Sequence, residues 1–98
     1  MLKVHKIWVA DDDEAIRLVL EEGLKSSGFE VTTFSDGESL IESLSHGEPD
    51  LIISDIKMPG MHGYDLLKHI KNNYEKLPVI IMTAFTDMQA AIDAYGGG

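Results

Sequence analysis

The chain contains no cysteine, so neither a disulfide framework nor a thiolate metal site can be built from it, and a reducing compartment is expected. Basic residues are scarce: 8 Lys and Arg stand against 17 Asp and Glu, a formal net charge of −9. That balance argues against a phosphate backbone as a partner, so no nucleic-acid contact is expected of this segment itself; cations or basic protein surfaces suit it better. No apolar run reaches the roughly 20 residues of a membrane-spanning helix. The segment Met1-Leu2-Lys3-Val4-His5-Lys6 enters an apolar strand without a signal-peptide pattern. A cytoplasmic protein with no membrane contact is the expectation. At 98 residues the chain can bury one core, read as one domain over residues 1–95 with a glycine tail at 96–98.

What is present is organised around Leu51-Ile52-Ile53-Ser54-Asp55, an apolar run that delivers one carboxylate at its end and is followed by Pro59-Gly60. Upstream, Ile7-Trp8-Val9-Ala10 predicts a strand that feeds Asp11, Asp12 and Asp13. Ile16, Val19, Leu20 and Leu24 recur at helical spacing, with Glu21, Glu22 and Lys25 opposite and Gly28 as a stop. Residues 30–34 are β-branched and aromatic enough for a second strand. Ser35 and Glu38 fit a capping box ahead of Leu40, Ile41 and Leu44. A third helix is marked by Leu66, Leu67 and Ile70, a fourth strand by residues 79–83, and a fourth helix by Met88, Ala91, Ile92 and Tyr95.

Strict alternation of strand and helix, with strands apolar along their whole length, predicts an α/β fold in which helices cover both faces of a parallel sheet. In a doubly wound sheet of order 2-1-3-4, strands one and three are neighbours and the winding reverses between them. Asp11, Asp12 and Asp55 then meet at that crevice, where such sheets bind ligands. Clustered carboxylates repel, and a hard divalent ion such as Mg²⁺, which takes oxygen ligands together with phosphate oxygens, relieves the repulsion. A carboxylate is also a nucleophile toward phosphorus, giving an acyl phosphate whose charge needs the metal, N–H groups and a hydroxyl. Thr83, at the end of the strand beside Asp55, is placed to supply that hydroxyl.

IWVADDD at 7–13, SDIKMPGMHG at 54–63 and LPVIIMTA at 77–84 together resemble the receiver domains of two-component response regulators, especially those of nitrogen-regulatory transcriptional activators. The resemblance implies a flavodoxin-like, doubly wound fold and a phosphoacceptor switch rather than a turnover enzyme. It implies Asp55 as phosphoacceptor, with Asp12 as a direct Mg²⁺ ligand and Asp11 acting beside it through water. The backbone carbonyl of Lys57 becomes the third protein ligand, and Thr83 bonds the phosphoryl group and shifts with it. A sensor histidine kinase is the implied donor and a transcriptional output domain the implied target. Asp13 is left as the cap of helix one.

The family pattern continues with a fifth strand, carrying a lysine and a switching aromatic residue, and a fifth helix; the chain stops before them. Strand four is then expected to be an open edge, and self-association through strand four and helix four follows from its unpaired backbone groups, with impaired switching. His62 stands where the family often has an acidic residue and reads as a solvated loop histidine. Two other readings remain: a protein-interaction module without switching, and a phosphohydrolase resembling the haloacid dehalogenase superfamily with Asp11 as nucleophile. Against the latter, Ala15 replaces that motif's Thr or Val and no later acidic pair follows.

Overall fold

The computed structural model describes residues 5–56, 58 and 60–82. The elements alternate as β1 (Lys6–Ala10), α1 (Glu14–Ser26), β2 (Glu30–Phe34), α2 (Gly37–Leu44), β3 (Leu51–Asp55), α3 (Gly63–Asn73) and β4 (Val79–Met82). All three strand pairings are parallel and the order is β2-β1-β3-β4, as expected for the doubly wound fold. The fourth helix, Thr83, Lys57 and the glycine tail lie outside the described residues. No helix among the described residues is long and apolar enough to cross a membrane.

Because neighbouring side chains on a strand point to opposite faces, the sheet carries two separate cores. Ala10 and Ile52 join Leu40 and Leu44 of α2 and Leu66 and Ile70 of α3 on one face, with Met58 and Leu77 closing the ends. Trp8 packs on this cluster and meets Phe34 with ring centroids 5.2 Å apart, in a tilted pair. On the other face Ile7, Val9 and Val31 lie under Leu20 and Leu24 of α1.

Two expectations need correcting. Ile16 and Val19 belong to the apolar stripe of α1, yet they are 41% and 65% exposed, and only Leu20 and Leu24 reach the sheet. A helix is about 10 Å across and strands are about 4.8 Å apart, so one helix covers roughly two strands. Here α1 packs on β1 and β2, and Ile16 and Val19 lie on the flank of the helix that these two strands leave uncovered. The second correction concerns α2, whose N-cap is Asp36 and not Ser35: the Asp36 carboxylate accepts from the Ser39 amide at 2.7 Å. An ionised carboxylate is the stronger acceptor of the two side chains, and the Ser35 hydroxyl turns instead toward Asp36. Helix α1 does end where expected, with Gly28 in the left-handed region at φ 95° and its amide donating to the Lys25 carbonyl.

Candidate functional site

The site is a product of strand register. Ala10 of β1 is level with Ser54 of β3, so the next residues, Asp11 and Asp55, leave the sheet side by side. The ladder continues one step past each strand: the Asp11 amide donates to Phe34 at 3.0 Å and the Ile56 amide to Met82 at 3.2 Å. Both carboxylates therefore stand on fixed backbone at the carboxyl end of the sheet, at the point where the winding reverses.

Each of the three consecutive aspartates has its own environment. Asp11 is buried, and its Oδ1 accepts from the Asp13 amide at 2.9 Å. Asp12 is exposed. Asp13 caps α1, accepting from the amides of Ala15 at 2.9 Å and Ile16 at 3.4 Å, as expected from the sequence. Carboxylate oxygens of Asp11, Asp12 and Asp55 all lie within 4.8 Å of one another. Unit charges about 5 Å apart repel by roughly 3 kcal/mol at an effective dielectric constant of about 20. Burial holds the Asp11 carboxyl above its ordinary value of 3.8; the Asp13 amide opposes this, while the charges of Asp55, Asp12 and Asp13 add to it.

The carboxylates of Asp12 and Asp55 have no hydrogen bond or ion pair among the described residues. Charged oxygens held together without partners form a donor set for a cation, and three carboxylates without sulfur or imidazole fit a hard divalent ion. His62 is exposed, makes no side-chain cap at the start of α3, and is not part of the cluster. A groove of about 480 Å³ lies elsewhere, lined by residues that include Pro49, Tyr74, Leu77 and Pro78.

Two participants carry little sequence signal. Arg17 donates from Nη1 to the backbone carbonyl of Asp11 at 2.7 Å; a bond from a side chain to a carbonyl leaves no periodic trace, and the only clue is that this is the single arginine of the chain. Gly63 donates its amide to Ile56 and lies against the backbone of Asp55. It stands inside the quoted motif, but its reason is steric and visible only in three dimensions.

The family model for the response regulator receiver domain matches residues 7–98. The DNA-binding transcriptional regulator NtrC of Escherichia coli (strain K12) is 51% identical over 92 residues, which is 94% of this chain and 20% of that protein. The transcriptional regulatory protein FixJ of Bradyrhizobium diazoefficiens is 39% identical over 88 residues, 90% of this chain and 43% of FixJ. The chain therefore spans a fifth to under a half of the length of these curated relatives. Among solved structures, the BeF3-activated receiver domain of nitrogen regulatory protein C superposes with a TM-score of 0.76 at 47% identity, covering 99% of this chain and 78% of that one. The response regulator TrrA of Thermotoga maritima, in complex with Mg²⁺-BeF, gives 0.82 at 30% identity, over 94% and 80%. Since the match takes in both strands that bear the aspartates and the identity persists across the same span, this chain belongs to the response regulator receiver domain family.

Proposed function

We propose that Asp55 is the phosphoacceptor of a Mg²⁺-assisted phosphorylation switch. The carrying observation is that Asp11, Asp12 and Asp55 present oxygens within 4.8 Å of one another. Support also comes from TrrA, whose structure is a complex with Mg²⁺-BeF, and from NtrC, whose receiver is described as BeF3-activated. An Asp55 oxygen attacks phosphorus; the new O–P bond forms as the bond to the donor breaks, and the electron pair leaves with the donor group. Asp12 and Asp55 would hold Mg²⁺ directly with the carbonyl of Lys57, and Asp11 would hold it through water. When bound, the ion offsets negative charge on the transferring group. The Thr83 hydroxyl is proposed to bond the phosphoryl oxygens.

The donor proposed is a sensor histidine kinase in the cytoplasm, and the output proposed is transcriptional, as the name of NtrC suggests for the longer proteins. Self-association through β4 is part of the same proposal: among the described residues β4 pairs only with β3, and Ile80 is 51% exposed. Sedimentation of a strictly monomeric chain at high concentration would refute that part.

The central test is exposure to labelled acetyl phosphate with Mg²⁺. The unmodified chain should acquire an acid-stable, alkali-labile label that Asp55→Asn abolishes. Equal labelling of the asparagine variant would remove Asp55 from the role.

A further inference from the structure

Arg17 stands near the N-terminus of α1, where the helix dipole disfavours a cation. Glu14 and Glu21 lie at i−3 and i+4, the positions from which a helical arginine takes its ion-pair partners. Neither is used: Arg17 forms no ion pair among the described residues, and Glu21 pairs with Lys25 at 3.2 Å. The half-buried guanidinium turns back six residues to the Asp11 carbonyl. Helix stability does not explain this choice, because the side chain passes over the acids of its own helix for a main-chain oxygen at the acidic site.

We propose that Arg17 is a positioning residue for that site, acting through the Asp11–Asp12 peptide. The Asp11 carbonyl belongs to the peptide plane that joins the two aspartates. Fixing its direction fixes where both carboxylates leave the chain, and so their distance from Asp55. The amide on the other side of Asp11 is already fixed by Phe34, and its Oδ1 by Asp13. The guanidinium supplies the remaining restraint, on the carbonyl. This inference rests on the reading of the cluster as a Mg²⁺-dependent phosphoacceptor site, and Arg17 itself touches neither the ion nor the phosphoryl group.

The test compares the full chain with Arg17→Met, which keeps the aliphatic stem without donors, and Arg17→Lys, which keeps the charge and a donor. Three quantities are read: Mg²⁺ affinity by calorimetry, labelling of Asp55 by acetyl phosphate against Mg²⁺ concentration, and melting temperature without Mg²⁺. Groups that orient metal ligands typically change affinity by 10–100-fold, so Arg17→Met should weaken Mg²⁺ binding by about tenfold. The labelling rate at saturating Mg²⁺ and the metal-free melting temperature should stay near those of the unmodified chain, and Arg17→Lys should recover part of the affinity. Unchanged Mg²⁺ affinity in Arg17→Met beside normal binding by the unmodified chain would overturn the role of the arginine alone. Equal losses in both variants, accompanied by a lower melting temperature, would overturn it in favour of a purely structural bond. If the unmodified chain takes up no Mg²⁺, or if Asp55→Asn is labelled as well as it is, the underlying reading falls and the arginine's role falls with it.

Discussion

The amide of Gly63 donates to the carbonyl of Ile56 at 2.7 Å, folding the chain back so that α3 starts directly against the end of β3. A Cβ at position 63 would collide with the Asp55 carbonyl oxygen and lie 2.9 Å from Ile56 Cα. Both obstacles are backbone, so no rotamer change relieves them. Gly63→Ala should therefore displace the strand end, costing about 1–3 kcal/mol by overpacking and slowing the labelling of Asp55. Urea unfolding and the labelling rate at saturating Mg²⁺ measure the two effects. Alanine with wild-type labelling would show that Asp55 tolerates a wider gap.

Asp11 gives a pH dependence of definite sign. Its folded-state carboxyl is raised above 3.8 chiefly by burial, so the folded chain binds that proton more tightly than the unfolded chain. This contribution to stability is fully present below pH 3.8 and is lost as pH rises through the raised folded value. At neutral pH without metal, ionised Asp11 works against folding, and Asp11→Asn should raise the melting temperature. The advantage of the asparagine should shrink on acidification, and added Mg²⁺ should stabilise the unmodified chain more than the variant. Thermal scans across pH, with chelator and then with Mg²⁺, supply the comparison.

Asp36 has the opposite sign. The Ser39 amide, then the Ser39 side chain, hold its carboxyl below 3.8, so its stabilisation exists above that value and fades as pH falls through the lowered one. Asp36→Ala should cost about 1 kcal/mol at neutral pH, the usual worth of an N-cap, and less in acid. Asp36→Asn should keep most of the cap while losing the pH dependence. Denaturant melts at several pH values distinguish the two, and an alanine penalty independent of pH would rule out the ionised cap.

The two apolar residues Leu40 and Val19 should respond very differently to truncation. Leu40 is fully buried and Val19 is 65% exposed. Leu40→Ala should cost about 2–5 kcal/mol through lost burial and a cavity, whereas Val19→Ala should stay within about 0.5 kcal/mol. Comparable losses in urea unfolding would mean that Val19 is covered in solution.

Much of this arrangement could be read before any coordinates. Strand ends and helix starts are local signals, and the parallel order followed from unbroken apolar strands alternating with helices, so Asp11, Asp12 and Asp55 were expected together. What escaped was set by neighbours. The periodicity of α1 marks Ile16 and Val19 as apolar but does not say how many strands lie beneath the helix. Ser35 and Asp36 both qualify as caps, and only the helix frame decides between them. The reach of Arg17 to the Asp11 carbonyl and the close approach of Gly63 depend on how distant segments meet, which composition and spacing do not record.

Helix α1 contributes no fully buried side chain to either core. Its attachment rests on the half-buried Leu20 and Leu24 and on the Asp13 cap. Opening it therefore uncovers little oily surface, and its amides should trade hydrogen for deuterium sooner than those of β1 and β3. The acidic end of the sheet thus borders a helix that should come loose more cheaply than the strands bearing the aspartates.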